Sequence, residues 1–199
     1  MSDKPKMSLT KKVLIAFAVL VVIAAFAGRN GESKKQSEKA PEPAIEYPEN
    51  ETALIDASKK AMDKAKKAEN DMQKGSALNE RNNAICSSIG SFTVTDWVGT
   101  ISKIDSNSDG YGVLKIELAK NIYVQTWNNS LSDTFDHTLI KPSTTLFETV
   151  SNLKKGQKVK FSGKFFKDDD TCISEGSLSL DGKLKEPEYI FRFSQVTPL

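Results

Sequence analysis

The chain holds one histidine, His137, and two cysteines, Cys86 and Cys172. A His/Cys zinc centre takes about four such ligands, and a redox dithiol needs its cysteines in CxxC spacing, so these three residues supply neither chemistry. Ser132, Asp133, Asp136 and His137 are the residue types of a hydrolytic triad, gathered in one polar stretch. Closeness in a loop gives no orienting geometry, and the chain is read as a non-enzyme. Asp105, Asn107 and Asp109, in Asp105-Ser106-Asn107-Ser108-Asp109-Gly110, reproduce the first half of an EF-hand calcium loop. The second half fails, because Ile116 stands where the loop's closing glutamate belongs and the flanks read as strands. An Asx-rich turn explains the same composition through local hydrogen bonds and positive φ. Calcium is the lesser reading, and no other cofactor is expected.

Binding chemistry is better represented. Tyr111, Tyr123 and Trp127, with Lys115 and Gln125 on alternate strand positions, could stack on a sugar or a base at about 1 to 3 kcal/mol per ring. Charge argues against a polyanionic ligand. Net charge is +2, and residues 1–83 carry 15 Lys or Arg against 12 Asp or Glu, whereas the remainder carries 13 against 14. Asp105 and Asp109 in one loop and Asp168, Asp169, Asp170 and Glu175 in another place acids around the candidate site, the reverse of a nucleic-acid footprint. Lys158, Lys160 and Lys164 are read as the solvated side of an amphipathic strand, and Trp97 as core.

Those residues need a scaffold, and the periodicity from Ile85 onward is that of strands. Phe92 to Ile104 reads as one long strand with a bulge or bend at Gly99. Val113 to Ala119 and Ile122 to Trp127 follow as the second and third strands, broken at Lys120-Asn121. Ser143 to Val150 has caps and helical spacing. Gln157 to Phe166 and Tyr189 to Val196 complete five strands, and Ser177 to Leu184 reads as a small hairpin around Asp181-Gly182. Three strands, a helix and two strands in about 110 residues is the order of the OB-fold, a five-stranded Greek-key barrel. The expected class is therefore mainly β over 84–199, with a small sandwich or an SH3-like barrel as the rival. In the OB barrel the first and fourth strands pair antiparallel, which brings the region of Cys86 near that of Cys172. A disulfide between them is expected in an oxidising compartment.

Upstream, Val13 to Ala27 are fifteen consecutive apolar residues behind Lys4, Lys6, Lys11 and Lys12. As a helix they span about 22 Å against a hydrocarbon core of about 30 Å. Two readings stand for residues 1–28: a signal peptide cleaved after Ala27, at an AxA-like site, or a short N-terminal membrane anchor with snorkelling lysines. Both leave the rest of the chain exported, inner-membrane anchored or periplasmic. Residues 29–50, with Pro41, Pro43 and Pro48, have linker composition. Residues 51–83 read as one exposed Ala/Lys-rich helix with Leu54, Ala61, Ala65, Ala68 and Met72 on a stripe, weakened or ended at Gly75. Its cluster Lys59, Lys60, Lys64, Lys66 and Lys67 reads as a solvated face, with anionic lipid or nucleic acid as the sharper alternative.

Trp97-Val98-Gly99-Thr100, Trp127-Asn128-Asn129 with Ser132-Asp133, Thr138-Leu139-Ile140, Val159-Lys160-Phe161-Ser162-Gly163, Glu175 with Ser177-Leu178, and Pro187-Glu188-Tyr189-Ile190-Phe191-Arg192-Phe193-Ser194 resemble a group of exported bacterial proteins with tRNA-anti-like OB-folds. The resemblance covers roughly Cys86 to Val196. It implies fold and envelope location and transfers no functional residue. The expected function is a non-enzymatic binding module of the envelope that engages a protein or glycan partner. The alternatives are a structural or immunity-type component of an envelope assembly and an exported single-stranded nucleic-acid binder.

Overall fold

The protein is described by a computed structural model over residues 46–199. The apolar segment 13–27, the cleavage point after Ala27 and the linker up to residue 45 lie outside the described residues, and within them no helix is long and apolar enough to cross a membrane. The elements in chain order are α1 (Glu49–Lys67), α2 (Asp71–Ser88), β1 (Thr93–Ser106), β2 (Gly112–Ala119), β3 (Ile122–Gln125), α3 (Thr145–Ser151), β4 (Lys158–Phe165), β5 (Lys167–Asp168), β6 (Cys172–Ile173), α4 (Leu180–Lys185) and β7 (Glu188–Pro198).

Five strands close into a barrel in the order β1-β2-β3-β7-β4. Every pairing is antiparallel except β3 with β7, which is parallel, so the sheet is mixed. β1 is long enough to pair with β4 over Thr93 to Thr100 and with β2 over Thr100 to Ser106. Its register shifts fall between Val94 and Trp97 against β4, where Asp96 takes φ 60°, and between Ile101 and Lys103 against β2, not at Gly99 as expected. Gly99 serves close approach instead: a Cβ there would lie 2.4 Å from Ile116 Cγ2 and 2.8 Å from the Glu117 carbonyl oxygen. Asn121 at φ 62° makes the tight break between β2 and β3 that Lys120-Asn121 led us to expect. β3 ends at Gln125, two residues before the expected end, because the Trp127 N–H leaves the ladder and donates to Thr138 Oγ1 at 2.7 Å. Inside the barrel Trp97, Phe161, Phe165, Phe191 and Phe193 pack edge-on or tilted, with centroids 4.7 to 6.4 Å apart. Each such contact contributes about 0.5 to 1.5 kcal/mol beyond burial.

The single exposed helix expected over 51–83 is instead two helices that belong to the core. α1 stops where Ala68 turns extended, and Asn70 restarts the chain by accepting the Gln73 N–H at 3.1 Å. Gly75 lies inside α2 and ends nothing. Leu54, Ile55 and Ile85 are buried with the barrel side chains, whereas Met72, placed on the stripe by periodicity, is 88% exposed. Over the described residues 46–199 the helices and the barrel belong to one compact unit. Polar anchors join the two layers. The buried Glu51 carboxylate accepts the Val98 N–H at 3.0 and 3.2 Å, upstream of the point where β2 begins to pair with β1. Beside it Trp97 Nε1 donates to Asn50 Oδ1 at 3.0 Å, and Ser58 Oγ lies 2.7 Å from the Tyr189 hydroxyl. Burial raises the Glu51 carboxyl to about 7 against the lowering effect of the Val98 N–H, and burial pushes the Tyr189 hydroxyl up to about 12.

Cys86 on α2 and Cys172 on β6 form a disulfide with Cα atoms 5.6 Å apart. The bridge ties a helix to the small β5–β6 ribbon, whereas the sequence suggested the entrance of β1. The hairpin expected at 177–184 is a helix, α4. A tight hairpin turn needs positive φ, which Asp181 and Gly182 do not adopt, and Ser179 accepts the Gly182 N–H as an N-cap. Leu184 seals α4 against Ala61 and Ala77. Glu175, expected among the acids of a loop, is buried and paired with Arg81.

Candidate functional site

Lys115, Gln125 and Trp127 line one groove of about 460 Å³ on the outer face of β2 and β3. Strand alternation puts them there. Lys115 stands opposite Gln125 in the antiparallel ladder, and Tyr123 is two residues back on the same face. Lys115 Nζ sits 4.0 Å from the centroid of the Tyr123 ring and pairs with Glu188 at 2.5 Å. Gln125 Nε2 donates to the other Glu188 oxygen at 3.2 Å. These bonds hold three polar side chains in fixed orientation and leave the face close to electrically neutral. Burial, with the nearby Glu117 carboxylate, holds the Tyr123 hydroxyl above the usual phenol range, so it is a neutral donor at physiological pH.

Trp127 is oriented from below. Its Nε1 donates to Asp136 Oδ2 at 2.8 Å, and its backbone is tied to Thr138. The loop 128–137 that carries it is ordered by Asp133, a buried carboxylate that accepts from Thr138 N, Thr138 Oγ1 and Leu139 N. Asp133 and Asp136 are thus employed in shaping the loop, and neither is placed to orient His137 as a triad member. The other wall comes from Gly176 and Leu178. A Cβ on Gly176 would come within 2.7 Å of Gln125 Nε2, so glycine makes room for the amide. Leu178 is 95% exposed, and Leu131 and Phe135, in the loop that also supplies Asn128 and Ser132 to the groove, are 86% and 90% exposed.

Tyr111 is not part of this groove. It lines a separate hollow with Asp109, Ser130 and His137. Of the calcium candidates, Asp105 pairs with Lys103 and accepts the Ser106 N–H. Asn107 Oδ1 accepts the N–H of Asp109 and of Tyr111. Asp109 accepts from Ser130 Oγ at 2.5 Å. Their oxygens close the turn, and among the described residues no group of three His, Cys, Asp or Glu side chains is placed to hold a metal.

Glu188 and Leu178 are the residues that sequence reasoning overlooked. Glu188 meets Tyr123 across the parallel β3–β7 seam, which joins positions far apart in the chain and leaves no local pattern. Leu178 lay in a segment read as a hairpin. No family model and no curated protein matches the chain.

Proposed function

We propose that the protein is a non-enzymatic binding module of the bacterial envelope, and that its groove on β2 and β3 engages an extended segment of a partner protein. Support for the OB-fold reading comes from the strand order, with β7 between β3 and β4 in the sheet, and from α3 lying between β3 and β4 in sequence. Such barrels use the face of their second and third strands for oligomeric ligands, and this is the face on which Lys115, Gln125 and Trp127 converge. The apolar leader, the Cys86–Cys172 disulfide and the likeness to exported tRNA-anti-like OB-folds support delivery outside the cytoplasm.

The observation that carries the choice of partner is the apolar border of a neutral groove. Leu178, a 95% exposed side chain of the groove wall, stands beside hydrogen-bonding groups that are already paired, and the loop that supplies Asn128 and Ser132 to the groove exposes Leu131 and Phe135 as well. Exposed apolar groups bordering a polar groove mark a protein-binding surface. A glycan is the second reading, favoured by the tethered Trp127 ring. Nucleic acid is disfavoured by the Lys115–Glu188 pairing and by the domain's charge balance.

The two tryptophans separate these readings. Trp97 is fully buried and Trp127 lines the groove, so acrylamide quenching of fluorescence reports chiefly on Trp127. A tryptophan-free unfolded polypeptide such as reduced, carboxymethylated ribonuclease A should protect it, and Leu178→Asp should remove the protection. Protection by chito-oligosaccharide alone would move the assignment to glycan. No protection by either probe contradicts the proposal.

A further inference from the structure

A second groove lies away from the β2–β3 face and shares no lining residue with it. It encloses about 530 Å³. Lysines reach it from four elements: Lys59 and Lys66 from α1, Lys74 from α2, Lys120 from the β2–β3 turn and Lys185 from the end of α4. Its floor is apolar, built by Met62, Ala65 and Leu184.

Three carboxylates answer these five cations, one of them Asp71, which pairs with Lys74 at 3.0 Å from outside the lining. Asp63 pairs with Lys66 at 3.0 Å, and Asp181 is shared between Lys74 at 3.0 Å and Lys185 at 2.9 Å. Among the described residues Lys59 and Lys120 have no ion-pair partner. The groove therefore presents surplus positive charge above an apolar floor. That combination fits an anion carrying a hydrophobic body. A nucleic acid would want aromatic rings for its bases, and no aromatic side chain lines this groove.

We infer that this groove docks the domain on anionic phospholipid, with Lys59 and Lys120 on headgroup phosphates and Met62 against the apolar part of the lipid. The source is the bilayer to which residues 13–27 direct the chain. Lysine clusters close to a membrane gain from anionic headgroups, and each lysine removed weakens the attraction about fivefold. On the anchor reading of residues 1–28, α1 is the first element after the linker, so its lysines are the first of the folded unit to meet the bilayer. The inference is independent of the partner groove, and either can fail alone.

The test uses the full chain on vesicles, with amine acetylation mapped by mass spectrometry. On vesicles of phosphatidylglycerol in phosphatidylcholine, Lys59 and Lys120 should react about fivefold more slowly than on phosphatidylcholine alone. Lys158 and Lys164 on β4 should react equally on both, and high salt should erase the difference. In the Lys59→Glu/Lys120→Glu double variant, Lys66 and Lys185 should lose their protection. Attachment through the apolar segment alone would leave Lys59 and Lys120 no slower to react than Lys158 and Lys164, so it cannot mimic this result. Equal rates at Lys59 and Lys120 on the two vesicles would overturn the inference. So would equal protection by soluble polyphosphate with phosphatidylcholine vesicles, which would assign the groove to a free polyanion.

Discussion

Arg81 on α2 and Glu175 in the segment after β6 form an ion pair in which each side chain is only 1% exposed. Arg81 also donates to Asn82 Oδ1 and to the Lys183 carbonyl oxygen, and its guanidinium lies 5.6 Å from the centroid of the Tyr189 ring. The second Glu175 oxygen accepts no hydrogen bond among the described residues, and burial raises the Glu175 carboxyl even though Arg81 opposes the shift. One pair thereby connects the helical layer, the α4 segment and the barrel strand β7.

A buried pair of this kind is costly to break and cheap to replace. Arg81→Ala leaves an unpaired buried carboxylate and should lower the unfolding free energy by about 3 to 5 kcal/mol. Arg81→Met/Glu175→Leu, which removes both charges and keeps volume, should recover most of that loss. Urea unfolding of the two variants checks the prediction, and equal destabilisation by both would refute it.

Glu51 gives the fold a pH dependence of definite sign. Its carboxyl rises from 4.5 to about 7 on folding because burial penalises the anion. The folded state then binds the proton more tightly than the unfolded chain. The resulting stability is fully present below about pH 4.5 and is lost as pH rises through 7. Glu51→Gln keeps an acceptor for the Val98 N–H and cannot ionise. It should flatten this part of the stability profile and stabilise the protein at pH 8 by roughly 2 to 3 kcal/mol. Parallel profiles for the two proteins between pH 4.5 and 8 would contradict the assignment.

The Cys86–Cys172 bridge closes a loop with a sequence separation of 86. On the chain-entropy account its loss costs about 4 to 5 kcal/mol. A reductant, or Cys86→Ser/Cys172→Ser, should therefore lower the thermal midpoint markedly. The groove on β2 and β3 should persist in whatever fraction stays folded, since neither cysteine lines it. Loss of Trp127 protection before unfolding would show instead that the bridge shapes the site.

Much of this architecture was legible where one local rule acts alone. The alternation Val159, Phe161, Phe165 against Lys158, Lys160, Lys164 located β4 to within a residue at each end, and Asn121 marked its turn by tolerating positive φ. Legibility failed where tertiary partners decide. An alanine-rich stretch looks solvated until the barrel supplies a surface for Leu54 and Ile55, and Asp181-Gly182 resembles a hairpin turn until Ser179 caps it as a helix. The candidate site was half visible. Lys115, Gln125 and Trp127 follow from strand alternation, but Glu188 enters through a parallel pairing between distant segments, and of the three rings read as a stacking set Tyr111 and Tyr123 do not line the groove.

Binding of a partner protein by the β2–β3 face is tested most directly in living cells by a photoreactive amino acid at Leu178, with the same residue at Lys158 as the control. The account predicts one discrete cross-linked adduct from position 178, lost when Trp127→Ala is added, and none from position 158. Indistinguishable cross-linking from the two positions, or none from 178, would contradict it.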